Sequence, residues 1–363
     1  MRSYCLEAIR SSILPGAMRA HPTLHNLALA MYTASGQWAS LFDKLLTSST
    51  NIFSPRSAPA HDIFRLSIFV LIITGAIFVT VSALLLHVIL RYRHRAGDDE
   101  REPPQIYGSN QIELAWTVFP ILIVVVIFLA SVRIIFSIQH APLPGQALNV
   151  TVVGHQFWWE FRYPKYGFVT ANELHVPVGA DANGPLPTSL KLVSADVDHS
   201  FWVPRLGGKT DLMSGQVNNM WIQPDTPGIY YGQCAQFCGA EHARMLIRVY
   251  AQTPTDFEKW AANQAKPAVQ DPSVAAGRAV FEHSACINCH AIRGTVANGR
   301  FGPDLTHLAS RDTLAAGALP NTESDLENWI KDPDHYKPGC LMPAMKLSDR
   351  DIALIASYLV TLQ

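Results

Sequence analysis

Residues 228–245 read GIYYGQCAQFCGAEHARM, a strand-like run that delivers two cysteines, a histidine and a methionine at the spacing C-x3-C-x3-H-x2-M. These are Cys234, Cys238, His242 and Met245, and His199 lies upstream in DVDHSFWVP. Two thiolates, two imidazoles and a thioether form a soft donor set, which selects copper and serves hard cations poorly. Spacing alone leaves two other readings open: a Cys234–Cys238 disulfide with incidental histidines, or a zinc site in which the methionine has no part. Around the motif, LNVTVV, FWWEFRY, SLKLV, NNMWIQP, GIYYGQ and MLIRVY are short β-rich runs broken by Gly, Pro, Asn and Asp. From Leu148 onward they predict a β-sandwich or barrel of Greek-key type.

Working upstream, Leu66 to Leu90 and Leu114 to Val132 contain no Asp, Glu, Lys or Arg, and the second continues weakly past Arg133 to Ile138. Each can cross about 30 Å of hydrocarbon as a helix. Two such runs so close together outweigh the alternative of buried core helices. Arg91, Arg93, Arg95 and Arg101 lie between them and mark the cytoplasmic side. Both termini then face outward, and the chemistry after the second span belongs to the periplasm or an equivalent space. Residues 1–60 are less informative. Arg2 and Arg10 precede a mildly apolar stretch, Leu24 to Met31, interrupted by His25 and Asn26, which fits a degraded signal, an overlong start or a surface segment. A net charge of -1 with only 16% charged residues argues against a nucleic-acid partner.

Working downstream, AANQAKPAVQDP (261–272) is polar and proline-containing and reads as a linker. A further domain begins near Ser273, where helical periodicity runs into Cys286-Ile287-Asn288-Cys289-His290. C-x-x-C-H is the signature of covalent c-type haem attachment. A thioredoxin-like pair would want a βαβ pattern where only helices are visible, and zinc would want a second ligand pair where Cys340 stands single. Thr322 to Asp325 and Ser348 to Asp351 each fit a capping box before an apolar-periodic run. In the last helix Ile352, Ile355, Tyr358 and Leu359 fall at core spacing against the first helix, and Cys340 reads as a small buried residue.

From Ala115-Trp116-Thr117 through LVSADVDHSFWVP, GGKTD, PGIYYGQCAQFCGAEH and FEKW, residues about 60–260 resemble subunit II of the haem-copper cytochrome c oxidases. In that family a cupredoxin-like domain holds the binuclear copper centre CuA. The resemblance implies that His199, Cys234, Cys238, His242 and Met245 are CuA ligands and that Gln236 contributes its backbone carbonyl. Two bridging sulfurs can hold two coppers that share one unpaired electron, so little geometry rearranges on oxidation. Two departures stand out. Relatives commonly carry Glu where this chain has Gln236, and that Glu reaches a magnesium site shared with subunit I; an amide lacks the charge, which puts magnesium there in question. Many relatives also read G-H-Q-W-Y-W, with the first Trp receiving electrons, whereas here Phe157 follows Gly154-His155-Gln156 and precedes Trp158 and Trp159. Packing in the sandwich is an equally good reading of those two tryptophans. Glu113, at the membrane edge, reads from energetics as a boundary residue; the resemblance makes it the cytoplasmic mouth of a K-type proton path.

The C-terminal segment resembles class I cytochrome c domains. That resemblance implies Met342, in KPGCLMP (337–343), as the sixth haem ligand, with Met345 as its rival, because His/Met ligation suits an electron carrier. It also implies that the carbonyl of Pro303, in Gly302-Pro303-Asp304-Leu305, accepts a hydrogen bond from the haem-binding His290.

The fold expected is therefore a multidomain membrane protein: an N-terminal segment (1–60), a two-helix transmembrane hairpin (61–140), a cupredoxin-like β-sandwich for CuA (141–260), a linker (261–272) and an all-α class I cytochrome c domain (273–363). Fused subunits of this design resemble the caa3-type oxidases. The resemblance implies electron transfer from haem c to CuA and on to subunit I, which carries haem a and the oxygen-reducing haem a3–CuB site, with subunit III as a further partner. Cytochrome c, a bc-type complex or another quinol-oxidising assembly would be the donor, and the bacterial inner membrane the location. This chain's second span has no histidine pair for a catalytic copper and haem, so oxygen reduction and most proton pumping belong to the partner. A quinol oxidase subunit would lack Cys234 and Cys238, nitrous oxide reductase would need a further histidine-rich domain, and a haem sensor would need a signalling domain. The electron-accepting subunit of a CuA-bearing nitric oxide reductase remains as the alternative.

Overall fold

A computed structural model of the chain describes residues 48–93, 105, 107–140, 147–181 and 184–363. Residues 1–47 of the N-terminal segment (1–60) expected as a degraded signal or overlong start, and Arg95 and Arg101 of the basic loop, lie outside the described residues.

Both apolar runs are helices, α1 (Ala58–Arg91) and α2 (Asn110–Gln139). At 1.5 Å per residue they extend about 50 and 45 Å, more than a hydrocarbon core requires. Their surfaces expose Phe78, Leu84, Phe119, Leu122 and Phe128, an apolar girdle that only lipid or a membrane partner can cover. Ser67, Thr74 and Thr80 return their hydroxyls to carbonyls four residues back, so polar side chains in the run satisfy themselves within the helix. One end of the hairpin is fastened to the sandwich. Ser137 Oγ donates to Asp62 Oδ2 at 2.8 Å, Trp221 Nε1 donates to Ile138 O at 2.6 Å, and His61 Nε2 meets Asp225 Oδ2 at 2.7 Å. Glu113, in the first turn of α2, therefore lies roughly 38 Å along the axis from that attachment. There its charge complements the helix dipole.

The strands are β1 (Leu148–His155), β2 (Trp158–Tyr163), β3 (Phe168–Ala171), β4 (Glu173–Pro177), β5 (Ala180–Asp181), β6 (Gly184–Pro185), β7 (Thr188–Ser194), β8 (His199–Trp202), β9 (Thr210–Leu212), β10 (Asn218–Ile222), β11 (Gly228–Cys234) and β12 (Leu246–Gln252). Two five-stranded sheets, ordered β10-β7-β1-β2-β3 and β4-β12-β11-β8-β9, face each other across Val150, Val152, Trp159, Phe161, Leu190, Phe201, Ile247 and Val249. Period-two alternation sets what reaches this core: along β11, Tyr230, Gly232 and Cys234 are buried while their neighbours are exposed. Cys234 thus arrives at the sheet end already facing inward. Trp159 is wholly buried core, whereas Trp158 is only partly covered and stacks on His155 at 4.2 Å.

Helix α3 (Pro254–Gln264) starts at the Thr253 cap, whose hydroxyl accepts from Asp256 N at 3.2 Å. It packs Phe257, Trp260 and Ala261 on the sandwich and occupies the first part of the expected linker. The rest is docked too: Ala268 is buried and its N–H reaches Arg293 O at 3.0 Å.

The C-terminal domain contains α4 (Ala275–His283), α5 (Cys286–Cys289), α6 (Glu323–Lys331), α7 (Pro333–Tyr336) and α8 (Asp349–Leu359), with a short hairpin of β13 (Thr313–Leu314) and β14 (Leu319–Pro320). The hairpin is a minor addition to an otherwise helical domain, and two-residue strands carry no periodicity to read. Thr322 and Ser348 cap α6 and α8 as expected, accepting from Asp325 N and Asp351 N at 3.1 Å each. Ile352, Ile355, Tyr358 and Leu359 are core.

Candidate functional site

The first site stands where β8, β11 and the loop before β12 converge. His199 Nδ1 lies 4.0 Å from Cys234 Sγ, Cys234 Sγ 3.9 Å from Cys238 Sγ, and Cys238 Sγ 3.7 Å from His242 Nδ1 and 3.9 Å from Met245 Sδ. Gln236 O completes the ring, 3.2 Å from Cys234 Sγ. Thus all six expected groups meet in one cage. His199 and Met245 are fully buried, and Cys234 and Cys238 nearly so. Sulfurs this far apart are not a disulfide, which removes that reading, and a thioether in the cage leaves zinc a poor match.

Asp196, which the sequence reading did not single out, sets the tautomer. His199 Nε2 donates to Asp196 Oδ1 at 2.7 Å, leaving the Nδ1 lone pair for the sulfur side. The other carboxylate oxygen accepts Gln156 N at 2.7 Å, and Gln156 Nε2 donates to Cys238 O at 2.6 Å. An acidic residue three before the histidine in DVDH was the available signal. The Cys238 thiol beside it pulls Cys234 below the ordinary thiol range, and that neighbouring thiolate pushes Cys238 up. Metal binding at such thiols requires their thiolate form and releases their protons.

The second site is a cavity in the C-terminal domain lined by Cys286, Cys289, His290, Met342 and Met345. Its remaining surface is mostly apolar, from Phe281, Leu305, Leu314, Leu326, Ile330 and Ile355. His290 Nδ1 donates to Pro303 O at 2.8 Å, which leaves Nε2 free as a ligand atom. Burial pulls the imidazole below its ordinary value, so it is neutral and ready to ligate. Gly302 lets this loop close: a Cβ there would stand 2.6 Å from His290 Cε1. Arg311, 8% exposed, also lines the cavity, and its Nε has no partner among the described residues, which suits an anionic edge of a porphyrin. Cys340 corrects its expectation. It is partly exposed, lines this cavity and places Sγ 3.5 Å from Met342 O, because the turn closed by Cys340 N and Lys337 O carries it onto the cavity wall.

The cavity's last wall is the sandwich itself: Gln156, Phe157 and Trp158. Glu173, 2% exposed, fastens the two domains by accepting Thr313 N at 3.0 Å, Thr313 Oγ1 at 2.9 Å and Asp312 N at 3.0 Å.

Three family descriptions match in sequence along the chain: "Cytochrome C oxidase subunit II, transmembrane domain" at residues 47–134, "Cytochrome C oxidase subunit II, periplasmic domain" at 148–252 and "Cytochrome c" at 274–363. Cytochrome c oxidase subunit 2 of Alkalihalophilus pseudofirmus is 34% identical over 316 residues, covering 85% of this chain and 90% of that protein. The chain belongs to the cytochrome c oxidase subunit 2 family. Cytochrome c oxidase subunit 2 of a Bacillus species is 33% identical over 292 residues, 75% of this chain and 80% of its own. Among solved structures, the periplasmic domain of subunit II of cytochrome oxidase from Bradyrhizobium japonicum is 28% identical, covering 33% of this chain and 95% of that one, with a TM-score of 0.31.

As a member of the cytochrome c oxidase subunit 2 family, the chain combines the transmembrane hairpin, the cupredoxin-like sandwich and a cytochrome c domain. The domains imply CuA copper and haem c. The described donors fit both: a buried cage of two sulfurs, two imidazole nitrogens, a thioether and a carbonyl suits soft copper, and an apolar cavity with the attachment cysteines and a neutral imidazole suits haem.

Proposed function

We propose that this chain is the electron-accepting subunit of a haem-copper cytochrome c oxidase, receiving electrons at haem c and delivering them through CuA to haem a of subunit I, where haem a3–CuB reduces oxygen to water with proton pumping. One observation carries the reading. The cavity with the C-x-x-C-H cysteines is walled by Gln156, Phe157 and Trp158, and Gln156 is hydrogen-bonded to the carbonyl of Cys238. Both sites therefore share a wall within one chain.

When bound, the two groups supply one-electron chemistry. The residues hold it still. Cys286 and Cys289 would anchor the haem vinyl groups, His290 is oriented by Pro303, and Met342 is assigned as the sixth ligand over Met345. His199, Cys234, Gln236, Cys238, His242 and Met245 would hold the copper pair, with His199 oriented by Asp196 and water kept out by burial. Cys234 ends β11 and Cys238 follows in the loop beyond it, both nearly buried.

The hairpin anchors the assembly in a membrane, which we assign as the bacterial inner membrane with both redox domains on the periplasmic side. Glu113, at the far end of α2 from the sandwich, is assigned as the cytoplasmic mouth of the proton path. Subunits I and III are the assigned partners and cytochrome c or a quinol-oxidising complex the donor. Gln236 is exposed and carries no charge for a magnesium ion. The relatives' names favour oxygen over nitric oxide as the final acceptor. Oxygen and nitric oxide uptake by the purified complex test this: fast oxygen consumption with reduced cytochrome c is expected, and selective nitric oxide consumption would overturn it.

A further inference from the structure

The seam between the sandwich and the haem domain holds a buried amine. Lys337 is 3% exposed, and its ammonium donates to Phe157 O at 2.8 Å and Ala315 O at 3.2 Å. The lysines that form ion pairs among the described residues are Lys165, Lys259 and Lys331, all with exposed side chains. Lys337 meets only carbonyls. A desolvated cation without a touching carboxylate is costly, and an apolar side chain of the same length would fill the space without that cost. The charge therefore needs a reason.

Its placement supplies one. Lys337 opens a tight turn in which Cys340 N returns to Lys337 O at 2.9 Å, with Pro338 and then Gly339 at φ 83, the pattern of a type II turn. That turn launches the loop carrying Met342 and Met345. Ala315, its second acceptor, sits with Ala316 at φ 52 and 59, a conformation that persists only where the surroundings over-determine it. Ala316 O in turn accepts Leu246 N at 3.2 Å, next to Met245. Phe157, the first acceptor, follows the Gln156 that is bonded to Cys238 O, and its ring would lie 3.0 Å from a Cβ on Gly239.

We propose that Lys337 is a positioning residue for both redox sites: it pins the methionine loop to the Phe157 carbonyl, and its buried positive charge favours the electron-rich state of the haem and of the copper pair. This rests on the haem c and CuA assignments above. A fixed cation stabilises an added electron nearby, and a poorly solvated seam strengthens the effect. The charged and titratable groups around it are Glu241, Arg244, Cys238 and Cys340. Glu241, of opposite sign, is itself 3.6 Å from Arg244. Burial pulls Lys337 down to about 8, so it is charged at neutral pH.

The test uses the full chain in its complex, poised in a fixed redox buffer. In Lys337→Met and Lys337→Gln the reduced fraction of haem c is expected to fall by about threefold or more, with the haem and copper absorbances intact and residues 265–271 no more open to protease. An unchanged reduced fraction in either variant that keeps its spectrum overturns the proposal, as does recovery in the uncharged Gln variant alone. Should neither variant assemble, the unmodified complex decides. Its reduced fraction falls as pH rises through about 8 if Lys337 acts as stated, and a flat profile overturns it. Absent haem or copper bands in the unmodified complex would instead defeat the assignments on which the proposal rests.

Discussion

His175 shows how a single side chain ties stability to the haem domain's neighbour. It stacks between Tyr250 at 4.6 Å and Trp260 at 4.0 Å, and its Nδ1 donates to Gln252 Oε1 at 3.1 Å. Burial pulls it from about 6.5 down to about 4, against that hydrogen bond. Between those values the unfolded chain binds the extra proton and the folded chain does not, so stability rises with pH across the window. Roughly 3 kcal/mol is at stake, at about 1.4 kcal/mol per unit. Unfolding of the sandwich at pH 4.5 and pH 7 is expected to show a shallower acid loss in His175→Phe than in the unmodified chain; equal acid losses would contradict this. Legibility at this scale divided by role. The cage residues were readable because soft donors at fixed spacing narrowed the choice to copper, zinc or a disulfide and the family resemblance then singled out copper and added the Gln236 carbonyl. Glu173 and Lys337 were not, because a single charged residue carries no pattern until the fold brings partners more than a hundred residues away within reach.

Among the elements, β11 and β12 were legible because one face of each is buried and the other wet, which writes period two into the sequence. Strand β4 was not: covered by α3 on one side and the haem domain on the other, all five of its residues are buried, Glu and His included. Strand β8 is short and its alternation is interrupted by the ligand His199. The loop 299–305 makes a sharper test of how an element serves the haem. Gly302→Ala would force the His290 ring away from the added Cβ and off Pro303 O. The expected outcome is reduced haem incorporation and a perturbed axial band, read by the ratio of haem absorbance to protein; full incorporation with an unchanged band would contradict the loop's orienting role. In the loop 337–345, replacing Met342 with His is expected to lower the haem potential sharply, as a harder imidazole replaces the thioether. An unchanged potential would transfer the ligand assignment to Met345.

Across the whole molecule, the haem domain is docked rather than free on its tether. Glu173 accepts from Asp312 and Thr313, Tyr250 OH donates to Asp312 Oδ2 at 2.5 Å, and Arg244 Nη1 reaches Tyr336 O at 2.7 Å. Glu173→Ala would leave buried N–H groups of the haem domain without acceptors, at about 1–3 kcal/mol each. Faster protease cleavage at residues 265–271 and slower haem-to-copper equilibration are expected, and cleavage at the unmodified rate would contradict the clasp. The domain order was legible from the two apolar runs, the copper motif and C-x-x-C-H, whereas this docking depends on contacts between distant segments that have no local signal. Glu113→Gln, at the opposite end of the hairpin, is expected to slow proton uptake while leaving the haem and copper spectra untouched; a normal uptake rate would remove it from the path. One chain is expected to hold a copper pair in the Cys234–Cys238 cage beside a covalent haem. Metal counting with electron paramagnetic resonance on the isolated, fully metallated chain tests it most directly. About two copper atoms per covalently bound iron are expected, with one unpaired electron spread over both coppers. A single copper with a localised electron, or iron without copper, would contradict it.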